Sequence, residues 1–288
     1  MPPPSSASVP GAAPQPDAPA RPETVAVLGI PLARIDYERA MDWIDAMVAS
    51  RGRGYVCVAA THLVMTSQED PELRDAVLRA DLVVPDGQPL VWAMNALGAA
   101  LRSRVYGPTL MARYCERSAR TGARAYLYGG RRDEGALGQL EMNLRRRYPE
   151  LQIVGGQSAP FRVPGDEEAE RIAGEINACG ADVVWVGLGM PLQEKWMAAM
   201  RDRLDAPVLV GVGAAFDFHA GLVRQAPPWM QSQGLEWLFR LSQEPRRLWR
   251  RYARYNPRFV IGFARQWMRW RLGPLVATGK SRRRRGCD

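Results

Sequence analysis

Between Thr24 and about Gly221, short apolar runs alternate with segments of helical periodicity, and no other feature of the 288-residue chain restricts its fold so strongly. The runs are Val25 to Leu28, Tyr55 to Ala59, Leu82 to Val84, Ala125 to Tyr128, Gln152 to Val154, Val183 to Val186 and Val208 to Val210, each predicted as a strand. Between them Tyr37 to Val48, Pro71 to Ala80, Thr109 to Ala119, Glu134 to Tyr148, Glu167 to Cys179 and Leu192 to Leu204 repeat their apolar positions at helical spacing. Strands joined by crossover helices run parallel. The expected fold is α/β, a Rossmann-like, mostly parallel sheet with flanking helices.

In an open sheet of this kind ligands sit at the carboxyl ends of the strands. Several strand ends are rich in glycine or acid: Pro85-Asp86-Gly87, Gly129-Gly130, Gly187-Leu188-Gly189-Met190-Pro191 and Gly211-Val212-Gly213. Glycine there lets a phosphate approach backbone N–H groups and helix N-termini, which points to a nucleotide-type ligand. Glycine after a strand serves equally in a tight turn with no ligand.

Residues 1–22 are Pro, Ala and Ser with almost no bulky apolar side chain, so they are expected to form a disordered leader ahead of a core at 23–221. They lack both the basic start and the apolar stretch of a signal peptide. After Gly221 the strands stop. Residues 222–288 carry sixteen Lys or Arg against three acidic residues, a charge of +13, and the whole chain carries +9, which leaves −4 for the first 221. Trp229, Trp237, Trp249, Trp267 and Trp270, five of the nine tryptophans, fall in the same stretch. Residues 222–273 therefore read as a basic amphipathic helical appendage and 274–288 as a disordered Arg-rich tail, suited to a polyanion or an anionic membrane surface. From Arg258 to Arg271, Phe259, Phe263, Trp267 and Trp270 form one stripe flanked by Arg258, Arg265 and Arg269, the layout of an interfacial helix. The same stripe would also suit the protein's own core or a second subunit, so a homo-oligomer stays open.

Other classes are disfavoured. Cys57, Cys115, Cys179 and Cys287 lie far apart with no C-x-x-C pair, and His62 and His219 are the only histidines, so neither a disulfide scaffold nor a histidine-rich metal site is supported. No apolar run reaches the 18 residues a membrane-spanning helix needs. The first strand leads into Gly29-Ile30-Pro31 rather than G-x-G-x-x-G, which argues against a nicotinamide dehydrogenase, and no D-x-D pair exists to hold a catalytic Mn2+ or Mg2+. The alternative is a basic RNA-binding protein with a nucleotide-binding α/β core, its Arg and Trp side chains binding single strands by charge and stacking. Nucleic acid is disfavoured as a partner because that reading leaves the Asp86, Gln193 and Asp217 loops without a role.

Six strings carry a resemblance: D70-P-E-L-R74, A80-D-L-V-V-P-D-G87, R104-V-Y-G107, V186-G-L-G-M-P-L-Q-E194, G211-V-G-A-A-F-D217, and G234-L-E-W-L-F-R240 followed by E244-P-R-R-L-W-R250. In this order, across about residues 24 to 259, they resemble the WecG/TagA/CpsF glycosyltransferases. The resemblance implies transfer of a hexose or N-acetylhexosamine, or its uronic acid, from a UDP-sugar to an undecaprenyl-diphosphate-linked sugar. That chemistry belongs to bacterial surface or exopolysaccharide synthesis, on the cytoplasmic face of the plasma membrane, with a peripheral enzyme. Inversion at the anomeric carbon, no metal and no cofactor are implied with it.

Asp86, at a strand end, is implied as the general base for the acceptor hydroxyl, while Pro-Asp-Gly alone suits a cap for the helix that follows. Gly87 belongs with it among the substrate-contacting positions. Gln193 and Asp217 match positions that contact the nucleotide-sugar, although a helix N-terminus and a structural cap would also use them. Gly187, Gly189, Gly211 and Gly213 are expected to permit close approach of substrate. Arg104, Arg240, Arg247 and Arg250 match basic positions that neutralise the diphosphate, a task for which guanidinium offers two-point contact, and the last three can share one helical face if Pro245 allows it. Many relatives carry Thr-x-Asn where this chain reads Val58-Ala59-Ala60-Thr61-His62, so Thr61 or His62 is expected to take over those contacts.

Overall fold

The computed structural model describes residues 19–130, 135–160, 162–227, 229–230 and 233–281, with only the backbone of Arg247 and of 273–281. The chain starts with β1 (Thr24–Val27) and β2 (Ile30–Ala33), an antiparallel hairpin outside the main sheet. This corrects the expectation for Val25 to Leu28, which was to be the first crossover strand. The two-residue turn puts Leu28 at φ 50° and Gly29 at φ 77°, positive at both residues as in a type I′ turn, whose twist matches that of the flanking strands.

The remaining elements alternate as the periodicity requires. They are α1 (Tyr37–Ala49), β3 (Gly54–Ala59), α2 (Thr61–Thr66), α3 (Pro71–Arg79), β4 (Leu82–Pro85), α4 (Gln88–Ala96), α5 (Gly107–Thr121), β5 (Ala125–Gly129), α6 (Ala136–Arg147), β6 (Ile153–Gln157), α7 (Asp166–Ala178), β7 (Val183–Gly187), α8 (Leu192–Met200), β8 (Val208–Gly211) and α9 (Ala215–His219). Asp36 and Asp70 start α1 and α3 by accepting the N–H of Arg39 and Leu73, each at 3.0 Å. The six strands β3 to β8 form one parallel sheet in the order β4-β3-β8-β7-β5-β6.

Because side chains alternate across each strand, the sheet buries two cores. Tyr55, Cys57, Tyr126, Tyr128, Val184 and Leu209 face one layer, with Leu73 of α3, Ile172 of α7 and Trp196 of α8. Val56, Leu127, Val183, Trp185, Val208 and Val210 face the other, with Trp43 and Ile44 of α1, Leu110 and Tyr114 of α5, and Leu140 of α6. Such two-sided burial explains why the strands read as unbroken apolar runs.

Further along the described residues come α10 (Glu236–Gln243) and α11 (Pro245–Ser281). Pro245 opens α11, so Arg240 lies on a different helix from Arg247 and Arg250, and the single shared face expected of the three is not formed. The backbone stays helical past 273, where the appendage was expected to end, and residues 282–288, with Arg282 to Arg285, lie outside the described residues.

α11 is docked on the core. Leu248 is buried, Phe259 belongs to the core cluster under the sheet and Phe263 packs against that cluster, each full burial of this kind contributing roughly 1.5–3 kcal/mol. The Gln266 amide donates to Ala26 O at 2.6 Å and accepts from Leu28 N at 2.8 Å, clasping the hairpin turn. Glu69, just after α2, accepts from Arg254, Arg258 and Tyr255. The expected four-residue stripe is therefore divided: Phe259 and Phe263 serve the protein's own core, while Trp270 is exposed together with Val260, Ile261, Met268 and Leu272.

Candidate active site

A cavity of about 890 Å³ opens at the carboxyl ends of β3, β4, β7 and β8 and is bordered by residues of α10 and α11. That is where an open parallel sheet is expected to bind ligands, and the volume suits a ligand the size of a nucleotide-sugar. Thr61, His62, Asp86, Gly87, Arg104, Gly187, Gly189, Gln193, Gly211, Gly213, Asp217 and Arg240 all line it. Residues up to 179 positions apart in the chain thus converge on one space.

Asp86 follows β4 directly. Its backbone N–H continues the strand pairing by donating to Ala59 O at 2.8 Å, and its Oδ1 accepts the N–H of Gly107 at 2.8 Å. α4 has Gly87 as its N-cap and no capping side chain, so the cap reading of Asp86 does not hold for that helix. The carboxylate instead meets the first N–H of α5, where the helix dipole favours a negative charge. Burial works the other way and prevails: with the nearby Arg104 opposing it, the Asp86 carboxyl is pushed up to about 6.

Arg104 reaches across to the appendage. Its guanidinium pairs with Glu236 of α10 at 2.5 Å, both side chains being largely buried, and it lies over the Tyr106 ring at 4.4 Å. Desolvation by burial and the proximity of Glu236 hold the Tyr106 hydroxyl far above its ordinary value. The Glu236 partnership was not legible beforehand, although Glu236 is one of only three acids in the basic segment, and an acid there asks for a partner.

His62 packs against Tyr255 of α11 with ring centroids 5.0 Å apart and the planes tilted by 51°. Burial, with Arg251 adding repulsion, lowers its imidazole to about 4, so it lines the cavity as a neutral ring. Trp237 and Tyr252 meet edge to face beside it, 5.9 Å apart. Arg240 lies over the Phe218 ring at 5.8 Å. The Arg250 side chain does not line the cavity; it is exposed, over Trp249, and Arg251, which sequence spacing missed, lines the cavity instead. The Arg247 side chain lies outside the described residues. His219 is structural: its Nε2 bonds Pro108 O at 2.9 Å and its carbonyl accepts from Asn143, tying α9 to α5 and α6.

The glycines divide by what a side chain would meet. A Cβ on Gly187 would lie 2.5 Å from the Phe216 ring, and one on Gly211 2.7 Å from the Met197 methyl, so the protein's own packing also demands glycine at these two positions. Gly189, at φ 75°, meets nothing within 4 Å and does leave the cavity open.

A family model described as "Glycosyl transferase WecG/TagA/CpsF family" matches residues 25–273. The matched region takes in the sheet, the whole cavity and α11 as far as 273.

Proposed function

The chain belongs to the WecG/TagA/CpsF glycosyltransferase family, and from that premise we propose that it transfers a hexose or N-acetylhexosamine, or its uronic acid, from a UDP-sugar to an undecaprenyl-diphosphate-linked sugar. The observation that carries this reading is Asp86, a carboxylate oriented by the Gly107 N–H inside a cavity large enough for a nucleotide-sugar. The acceptor hydroxyl gives its proton to Asp86 Oδ2 as its oxygen attacks the anomeric carbon. The bond from that carbon to the diphosphate breaks, and UDP leaves with the electron pair. Arg240, carried by α10, supplies a cation for the departing charge, with Arg104 behind it. A single displacement inverts the anomeric configuration.

The two walls suit two substrates. The glycine loops, Gln193 and Asp217 take the nucleotide, and the rings of His62, Tyr252 and Tyr255 take the acceptor sugar at the side nearer α11. The enzyme works as a peripheral protein on the cytoplasmic face of a bacterial plasma membrane, in surface or exopolysaccharide synthesis; among the described residues no helix is long and apolar enough to cross a membrane.

Thermal-shift titration against UDP-, GDP- and dTDP-sugars tests the donor, because selective binding raises the melting temperature. UDP-sugars should stabilise and the others should not. Transfer to a lipid-linked acceptor should persist in EDTA and give an inverted product by NMR. Retention, or activity that EDTA abolishes and Mn2+ restores, overturns the mechanism.

A further inference from the structure

Gln193 and Glu194 open α8 from inside the protein, the first 4% and the second 0% exposed. Gln193 Nε2 donates to Glu194 Oε1 at 2.8 Å. Gln193 Oε1 is shielded from solvent and has no hydrogen-bond partner. The amide lies in space that two glycines leave: a Cβ on Gly211 would come 3.1 Å from Nε2, and one on Gly213 would come 3.2 Å from Oε1. Its oxygen is thus turned toward the loop after β8 that borders the cavity.

An amide has two ends of similar shape, and which end faces a ligand depends on the neighbour that fixes the other end. Here that neighbour is a carboxyl group. With Glu194 ionised, rotating the amide by half a turn would set Gln193 Oε1 against Glu194 Oε1, acceptor against acceptor. Burial pushes the Glu194 carboxyl up to about 7 while the Gln193 N–H opposes the rise, so this N–H and the ionised carboxylate favour each other. The thiol of Cys57 beside it stays protonated, since burial raises it well above its ordinary value. A buried acceptor left without a donor is costly, so the arrangement is completed by a ligand that brings one.

We propose that Glu194 is a positioning residue that holds the Gln193 amide with its oxygen toward the cavity, so that this point of the site receives a hydrogen-bond donor of the nucleotide, an imide N–H or a ribose hydroxyl. The proposal rests on the donor reading above and adds to it the polarity of one contact. It assigns a task to the final acid of the Met-Pro-Leu-Gln-Glu string, which touches no substrate itself.

The test is calorimetric titration of the full-length protein with UDP, beside N3-methyl-UDP, 2′-deoxy-UDP and 3′-deoxy-UDP. One of the three altered nucleotides should bind wild type about tenfold more weakly than UDP, the loss expected for one hydrogen bond to a buried group. Glu194→Met should weaken UDP by a similar factor and should not weaken that altered nucleotide further, since the two changes remove the same contact. Glu194→Gln keeps an acceptor oxygen and should recover most of the affinity. In kinetics the Met variant should raise the donor KM and leave the acceptor KM unmoved, a split that general loosening of α8 would not produce. Equal binding of all four nucleotides by wild type overturns the proposal, whether or not the Met variant folds. So does a folded Met variant that binds UDP as wild type does. No UDP binding by wild type overturns the donor reading and the proposal with it.

Discussion

Asp86 is where opposing influences on one group meet, and they make its behaviour predictable. The helix N-terminus and Arg104 favour the anion, burial and Glu236 oppose it, and the balance leaves the carboxyl near 6 rather than in the ordinary aspartate range. A general base must be ionised, so kcat/KM should fall as pH drops through about 6 and level off above it. The sign for stability is opposite. A folded-state value raised above the unfolded one means that stability is lost as pH rises through the interval between them. Asp86→Asn should therefore lower turnover by roughly 10²- to 10⁴-fold with UDP affinity nearly unchanged, and should melt no lower than wild type at pH 8. Turnover within a few-fold of wild type would show that the base lies elsewhere. Asp86 was singled out by its place at a strand end and by the resemblance, and Gln193, Asp217, Thr61 and His62 by the resemblance alone; the sheet then brings all five to one cavity. Their partners were not legible: Gly107 is 21 residues from Asp86, and Glu236 is 132 from Arg104, separations that only the folded chain closes. Arg251 in place of Arg250 was hidden by Pro245, which starts a new helix and resets the angular count.

At the level of elements, the six apolar runs of the parallel sheet were legible because most of its strands are covered on both faces and leave little polar alternation to confuse them. The β1–β2 hairpin escaped because its turn, Leu28-Gly29, puts a bulky residue where Asn or Gly is usual. Leu28 holds that strained conformation because the folded protein grips both sides of its peptide: Gln266 accepts from its N–H, and Gln68 of the α2–α3 connection donates to its carbonyl. The hairpin and α11 therefore stabilise each other. Gln266→Leu removes both of its bonds to the turn and should cost about 1–2 kcal/mol in urea unfolding. It should also raise the acceptor KM, because α11 carries Tyr252 and Tyr255 to the cavity, and it should spare UDP affinity. Unchanged stability would mean that the apolar face of α11 holds the helix without the glutamine clasp.

At the scale of the whole molecule, the charge partition and the packing have to be read together. The sequence alone suggests a near-neutral core with a separable basic appendage. In the folded chain Glu236 closes on Arg104, and Leu248 and Phe259 fill the core, so cutting after Gly221 would expose apolar surface and uncover a buried arginine. Loss of vesicle binding in that truncation would say little about membranes. The outward side of α11 is the informative surface. Val260, Ile261, Met268 and Leu272 are more than 45% exposed there, with Arg250, Arg265 and Arg269 exposed on the same helix. An anionic bilayer would cover the apolar residues and meet the arginines, each basic residue near the surface contributing about 1 kcal/mol. Replacing Ile261, Met268 and Leu272 by Glu should abolish flotation with phosphatidylglycerol vesicles while leaving melting temperature and UDP affinity near wild type. Binding of the intact protein should weaken as salt is added, since charges at an exposed surface are screened within about 8–10 Å at ordinary ionic strength. If the triple variant still floats, or the intact protein binds neutral vesicles equally well, the membrane reading fails. If instead the substitutions convert a sedimenting dimer to a monomer, the exposed face of α11 is a subunit contact, and the enzyme must reach its lipid-linked acceptor through the basic residues alone.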